Sequence, residues 1–204
     1  MRRITVLLTC AVVGFGCGVK EPVEEEVEAA VQPAAGWTEV SEPDLSSAEL
    51  DQLQRAKAAQ MELARTLMGE LKAELASGGP AGAVDVCRDL APTIAEHVSH
   101  EHGLAIGRTS HRLRNASNVP PQWAEDWVAA AVAEKVLLRG PAGELGVLHP
   151  IKIAPPCLAC HGPAERLDET VTGALAESYP DDQAVGFAEG DLRGWFWVEV
   201  PAES

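Results

Sequence analysis

Residues 104–114 read Leu-Ala-Ile-Gly-Arg-Thr-Ser-His-Arg-Leu-Arg and follow a long region of helical spacing. The basic residues at positions 108, 112 and 114 share one parity, so this stretch predicts a β-strand with a basic face. Residues 145–153 and 192–200 also have the pattern of strands. Because these strands and the helices are mixed without regular alternation, the sequence predicts an α+β domain with an antiparallel sheet.

Two helical regions precede residue 104. Ser46 and Glu49 form a capping-box pattern, which predicts that a long amphipathic helix begins at residue 47 and runs to about residue 76. The apolar residues of this helix recur at roughly helical spacing: Leu50, Leu53, Leu67, Leu71 and Leu75. A second helical stretch is predicted over residues 83–103, bent or restarted at Pro92.

Four tryptophans are expected in the core. Trp123 and Trp127 lie one helical turn apart after Pro120-Pro121, where the sequence predicts the start of a helix. Trp195 and Trp197 share one face of the last predicted strand. This spacing favours packing, so we assign these residues no chemical role.

The amino terminus has the composition of an export signal. Arg2 and Arg3 form a short cationic region, and residues 4–15 are almost wholly apolar. Residues 1–16 are therefore interpreted as a signal peptide. The sequence before Cys17 resembles a bacterial lipoprotein processing site, with Cys17 as the lipid-carrying residue; a plain cleaved signal and an uncleaved anchor are the alternatives. Residues 17–43 read as an acidic flexible linker, and residues 44–204 as one domain.

The net charge of the chain limits the classes of partner that it can bind. The 204 residues carry a formal net charge of -15 and have an isoelectric point near 4.7. Such a surface repels phosphate backbones and anionic lipids, which argues against nucleic-acid binding. With the export signal, this charge predicts an exported, periplasmic or otherwise extracytoplasmic protein whose attachment to a membrane comes only from a lipid anchor.

The motif with a specific chemistry is Cys157-Leu158-Ala159-Cys160-His161. Two cysteines at this spacing can form thioethers with the two vinyl groups of a haem, and the adjacent histidine can ligate the iron. A structural disulfide, a redox dithiol and half of a zinc site are the alternatives for the cysteine pair. None of these three requires the following histidine.

The residue that would bind iron opposite His161 is less determined. The side chains of suitable type are Met61, Met68, Cys87, His97, His100, His102, His111 and His149. Cys87 lies on the apolar face of its predicted helix and has no evident disulfide partner if Cys157 and Cys160 hold a haem. By residue type alone, a small core residue is the more common role for such a cysteine.

Several motifs together resemble one bacterial family, the c-type haem domain with a PAS-like fold, also found as the extracytoplasmic sensor part of some histidine kinases. The matching segments are Ala83-Val84-Asp85-Val86-Cys87, Ile106-Gly107-Arg108-Thr109-Ser110, Leu113-Arg114-Asn115, residues 157–162, Tyr179-Pro180-Asp181-Asp182-Gln183-Ala184, Gly186-Phe187 and residues 189–194. The resemblance covers roughly residues 46–200. It implies an antiparallel sheet flanked by helices, one covalent haem c per chain, and a role in redox or gas sensing.

The resemblance also implies roles for single residues. Cys157 and Cys160 match the thioether cysteines, His161 the proximal iron ligand, and Cys87 the opposite axial ligand. Two arginines, Arg108 and Arg114, match the basic motif and are expected to pair with haem propionates, with ordinary surface salt bridges as the alternative.

Three functions follow from these expectations. The first is a sensory module that reports redox state or a small gas through a change at the distal ligand, with a separate signalling partner. The second is a monohaem electron-transfer cytochrome with a redox partner protein. The third is a peroxidase-type enzyme, for which His111 or His149 would have to supply the acid or base. We expect the first function and no enzymatic role.

Overall fold

The computed structural model describes residues 31 and 33–202. The chain forms five strands and six α-helices over these residues. The strands are β1 (Thr38–Glu39), β2 (Ala105–Thr109), β3 (Val136–Arg139), β4 (Leu145–Lys152) and β5 (Leu192–Val200). The helices are α1 (Ser47–Ser77), α2 (Gly79–Asp85), α3 (Ala91–His102), α4 (Glu125–Ala129), α5 (Leu158–His161) and α6 (Glu169–Ser178).

The five strands form one antiparallel sheet in the order β1-β3-β4-β5-β2. The prediction of an α+β fold with an antiparallel sheet and a long first helix is therefore confirmed. Strands β4 and β5 agree closely with the predicted ranges 145–153 and 192–200. The sequence did not predict β1, β3, α5 or α6.

The predicted strand over residues 104–114 is wrong beyond Thr109, where β2 ends. The Ser110 hydroxyl donates a hydrogen bond of 2.7 Å to the backbone carbonyl of Arg193 and accepts one of 3.0 Å from the backbone N–H of Arg112. These bonds turn the chain out of the sheet. The basic residues 112 and 114 consequently lie in a loop, and only Arg108 is on the strand.

Helix α1 has 31 residues and begins with the predicted capping box, in which Ser46 and Glu49 bond each other's backbone N–H groups. Its first half packs against α3 and one face of the sheet. This core contains Ala56, Ala59, Leu63, Leu67, Ile94, Val98, Ile106, Leu145, Val147, Val198 and Val200. Burial of this much apolar surface is what holds so long a helix in place, since propensity alone contributes little.

The second helical region restarts as α3 at Ala91, next to Pro92 where a bend or restart was predicted, and it also contains an unpredicted π-helical turn, Val86–Leu90, between α2 and α3. Pro92 lacks an N–H group and cannot continue regular i to i−4 bonding, and the N–H of Ala91 bonds instead to the carbonyl of Val86, five residues back. The turn contains Cys87. Gly103 then closes α3 in the left-handed conformation, with a φ of 60°.

The other face of the sheet is covered by tryptophans. Trp123, Trp127 and Trp195 are buried there, and Trp197 packs against them, so the predicted core roles are confirmed. Gly107 makes room for this packing, because a Cβ atom at this position would lie 2.5 Å from Cζ2 of Trp197.

The amino-terminal predictions fall largely outside the described residues. These are the signal peptide over 1–16, the lipidation site Cys17 and most of the linker. Strand β1 lies within the linker range and pairs with β3, so the last residues of that range take part in the sheet. Among the described residues, no helix is both long and apolar enough to cross a bilayer.

Candidate cofactor site

A cavity of about 450 Å³ lies at the end of the sheet where β2 and β4 stop and β5 begins. The second half of α1, α2 and the π-helical turn form one wall, and the segment containing residues 154–161 forms another. Arg108 and Phe196 continue the face of the sheet to which Ile106 and Val198 belong. A cavity of this volume is typical of small-molecule and cofactor sites.

The Cys-x-x-Cys-His segment forms part of this cavity wall. It consists of a 3-10 turn, Pro155–Cys157, followed directly by α5. The N–H of Gly186 bonds to the carbonyl of Gly162 at 2.7 Å, and the N–H of Phe187 bonds to the carbonyl of His161 at 2.9 Å. Backbone bonds therefore fix the segment to the loop before β5, whatever side chains the segment carries.

The cysteines of the site are free thiols. Cys87, Cys157 and Cys160 all line the cavity, and none of the three is in a disulfide. Burial raises the pKa of the Cys160 thiol, which disfavours the reactive thiolate. In the described part of the chain, no group of three or more His, Cys, Asp or Glu side chains is placed to hold a metal ion by itself.

His161 is held as a neutral imidazole. Its Nδ1 lies 2.7 Å from the carbonyl oxygen of Ala184, so this nitrogen is the donor and Nε2 keeps its lone pair. Burial first, and then the charges of Arg114 and Arg193, lower the pKa of His161 to about 3. A histidine whose Nδ1–H bonds a carbonyl has the arrangement usual for a metal ligand that binds through Nε2.

Arg114 bonds to the Cys-x-x-Cys-His segment and to the loop beside it. Its Nε donates to Asp182 at 3.1 Å, and its Nη2 donates to the carbonyls of Cys160 at 2.6 Å and Ala184 at 3.1 Å. Both side chains of the ion pair are mostly shielded from solvent, with 8% and 11% of their surface exposed. Arg114 thus bonds both to the motif and to the carbonyl that orients His161.

Arg108 differs from Arg114 in its surroundings. Its half-buried side chain lines the cavity, and within the described residues no carboxylate pairs with its guanidinium. Burial lowers the pKa of Arg108, while nearby Cys87 and Tyr179 oppose that change. A cation in this position is short of a counter-charge, which an anionic group in the cavity would supply.

Arg193 is a further cation that the sequence did not single out for a role. Regular pairing places residue 193 opposite Lys152, but Lys152 pairs with Leu192 and Ile151 with Gly194, so Arg193 is the extra residue of a β-bulge. Burial, and repulsion from Arg114 and Arg108, lower its pKa to about 10. The bulge changes the direction of the Arg193 side chain, which lines the cavity. Strand periodicity alone could not have predicted this position.

The lining of the cavity has an unusual charge for this protein. Its cationic residues are Lys72, Arg108, Arg114, Lys152 and Arg193, and none of the described residues that line it carries a carboxylate. The whole chain has a charge of -15. Tyr179 also lines the cavity, and burial, followed by the effect of Cys87, raises its pKa to about 12.

The structure separates the eight candidates for the second iron ligand. Only Cys87 and Met68 line the cavity, and Met68 is 41% exposed. The other candidates lie elsewhere, some with contacts of their own: His102 is 2.9 Å from Glu62, and the ring of His111 contacts Trp195. His111 and His149, considered above as an acid or base, are both outside the cavity lining.

The residues present fit a haem. One cavity contains two thiols at the attachment spacing and a neutral histidine whose Nε2 keeps its lone pair. The same cavity has a third thiol on another wall, apolar sides and cationic side chains. Fold and site together define an α+β domain with a Cys-x-x-Cys-His cavity beneath a long first helix.

Comparisons with known proteins agree with this description. A family model described as Tll0287-like matches residues 27–201, so the chain belongs to the Tll0287-like family. Among solved structures it is similar to the cyanobacterial heme-protein Tll0287, with a TM-score of 0.55 and 22% identity, over 78% of this chain and 100% of that chain. At this identity the similarity concerns the fold. No curated protein gives a match.

Proposed function

We propose that the cavity holds one covalently attached haem c and that the protein is a redox or small-gas sensory module. Cys157 and Cys160 would add their S–H groups across the two vinyl groups, and His161 would ligate the iron through Nε2. Cys87 would be the opposite axial ligand. When bound, the haem supplies an iron that changes oxidation state and takes up small ligands. The chain's own residues decide how that iron is held.

The observation that carries this proposal is the charge of the cavity lining around the motif. Haem has two propionates, and this cavity offers cations without a single described carboxylate among its lining residues. Arg108 and Arg193 are the cations best suited to the propionates, because no carboxylate of the described chain pairs with either guanidinium. Arg114 is engaged by Asp182 and two carbonyls, so its main contribution would be to position the motif.

The alternatives for the cysteine pair have less support. A redox dithiol needs an accessible thiolate, whereas burial raises the pKa of Cys160. A structural disulfide would explain neither the adjacent neutral histidine nor the cationic lining. The name of the solved relative, a haem protein, points in the same direction.

The π-helical turn supports the sensory role over that of a carrier with fixed ligands. Such turns are one-residue irregularities in a helix and are frequent at functional sites. Cys87 lies in this turn, next to helices joined through Pro92, so a small change in backbone bonding would move its sulfur. Cys87 would hold the iron as a thiolate, which favours the ferric state, and movement of the turn that carries Cys87 would be the signal.

Absorption spectroscopy tests the cofactor. The protein should be produced in a host that matures c-type cytochromes, and its oxidised, reduced and pyridine-denatured spectra recorded. We expect covalent haem, and a low-spin ferric spectrum with thiolate features. Replacing Cys157 and Cys160 together by Ala should abolish covalent attachment. A wild-type protein without covalent haem would refute the proposal.

The distal ligand needs a matched pair of variants. Cys87→Ala should remove the thiolate features and the slow, ligand-coupled change that follows reduction. Met68→Leu, which removes the sulfur of the other candidate iron ligand in the lining, should leave both unchanged. If Cys87→Ala keeps the wild-type ferric spectrum, Cys87 is not the ligand; a bis-histidine or histidine-methionine spectrum would favour an electron-transfer cytochrome.

We also propose export and lipid attachment at Cys17, on the basis of residues 1–17. Detergent extraction and metabolic labelling with a fatty acid test this location. Label that is incorporated by the wild type and not by Cys17→Ser supports the proposal. Haem-loaded protein recovered from the soluble fraction without label would contradict it.

A further inference from the structure

The open side of the cavity carries apolar and positively charged side chains. We define the mouth surface as six of the exposed lining residues, Met68, Lys72, Leu75, Lys152, Pro156 and Ala159. Met68 and Leu75 are 41% and 38% exposed, and they are among the few large apolar side chains of the described chain with such exposure. An exposed apolar patch rimmed by charge is typical of a protein-binding site.

The charge of the mouth surface is opposite to that of the molecule. Lys72 and Lys152 belong to different elements, α1 and β4, and both are exposed and line the same cavity. None of the described lining residues carries a carboxylate that would neutralise them, and the haem propionates are assigned above to arginines of the cavity. On a chain with a net charge of -15, this local positive charge selects a negatively charged group.

The geometry points to the mouth surface as a docking site for an electron-transfer protein. The contact surface of this partner would be acidic, with an apolar centre. This inference rests on the function proposed above, because a partner seated at the mouth would lie next to the haem. One electron would pass from the partner's reduced centre to the ferric iron, so the partner is oxidised and the iron reduced, with no bond made or broken. The overall negative charge of both proteins would keep the complex transient, as redox encounters usually are.

A second copy of this chain fits the surface less well. Two mouth surfaces facing each other would bring the lysines of both copies together, and like charges across an interface are unfavourable. The same lysines would meet complementary carboxylates on an acidic partner. The charge pattern therefore distinguishes the two occupants.

The test uses haem-loaded protein and two probes, a plant-type ferredoxin as the acidic redox protein and a basic c-type cytochrome for comparison. Binding is followed by titration calorimetry, and reduction by stopped-flow absorbance. We expect Lys72→Glu and Lys152→Glu each to weaken ferredoxin binding and slow its reduction of the haem by roughly threefold or more.

Lys57→Glu is the matched control. Lys57 is an exposed lysine on the same helix, 15 residues before Lys72 and so about 22 Å away along the helix axis, and its substitution changes the net charge equally. This control should change the binding and the rate much less. The haem spectrum of each variant, recorded first, separates loss of cofactor from loss of docking.

Three outcomes would overturn the inference. The first is an equal effect of Lys57→Glu and Lys72→Glu. The second is tighter binding of the basic cytochrome than of ferredoxin to the wild type, which Lys72→Glu strengthens further. The third is a dimer in sedimentation that Met68→Glu dissociates, because the mouth surface would then be occupied by another copy of the chain.

Discussion

Replacing Arg114 by methionine should destabilise the protein strongly, although Arg114 is outside every helix and strand. The substitution removes the guanidinium and keeps a side chain of similar length. It leaves the Asp182 carboxylate, which is only 11% exposed, without its cationic partner. It also removes a donor from the carbonyls of Cys160 and Ala184.

The size of the effect follows from these contacts. Breaking a buried ion pair by removing one partner costs about 3–5 kcal/mol, since a buried charge is left uncompensated. For a domain of this length, each kcal/mol lowers the melting temperature by roughly 2–4 °C. We therefore expect a decrease of roughly 6–20 °C for Arg114→Met.

Thermal unfolding of the full chain measures this change, with Arg166→Met as the control at an exposed arginine. A double-mutant cycle with Asp182→Asn then isolates the pair. We expect a coupling energy of at least about 1 kcal/mol, because the neutral amide no longer needs the charge. The same variants should show a changed haem spectrum, since Ala184 also orients His161.

The reasoning would be refuted by an Arg114→Met protein that melts within about 2 °C of the wild type, which corresponds to roughly 1 kcal/mol or less. It would equally be refuted by strictly additive effects in the cycle. Additivity would mean that Arg114 and Asp182 stabilise the loop separately.

Further substitutions test other parts of the fold. The pKa of Glu49 is lowered to about 2, chiefly by its hydrogen bond with Arg139. Its contribution to stability is therefore complete above the unfolded pKa of 4.5 and is lost as the pH falls toward 2. The difference in urea midpoint between the wild type and Glu49→Gln should be larger at pH 6 than at pH 2.5, and equal differences would contradict this. Gly107→Ala should destabilise the protein by about 1–3 kcal/mol, because the new methyl group would overlap Trp197. Gly69→Ala places its methyl group with nothing within 4 Å and should stabilise α1 by about 0.5–1 kcal/mol. The reverse order of stabilities in urea unfolding would contradict this account of the packing. Gln52→Leu should cost about 1–3 kcal/mol in the same assay, because the buried Gln52 amide donates to the carbonyls of Gly143, Val200 and Pro201, where the start of β4 lies beside the end of β5. An effect no larger than that of an exposed glutamine on α1 would argue against it.

The parts of the fold that the sequence predicted are those with local causes. The capping box fixed the start of α1, and the spacing of tryptophans identified the second core. The strand over 104–114 was extended too far because alternation of basic residues continues past Thr109, while a hydroxyl bond from Ser110 to the neighbouring strand ends the pairing there. A bond between segments some 80 residues apart leaves no local pattern.

The candidate site was predictable to a similar extent. The spacing of the motif identified the attachment segment, and a family resemblance singled out Cys87 among eight candidates. The sequence could not show that, of the other seven candidates, only Met68 lines the same cavity as Cys87, since that depends on how α1 crosses the sheet. The contribution of Arg193 was hidden as well, because a bulge changes the alternation on which strand predictions depend.

That bulge also has an evolutionary consequence. Deleting the single residue Arg193 would restore a regular ladder between β4 and β5, so the sheet would tolerate the change far better than the cavity would. A descendant of this gene could thus lose a charge from its cavity in one codon while it retains its fold. Relatives that differ by one residue at this position are where a change of ligand should be sought.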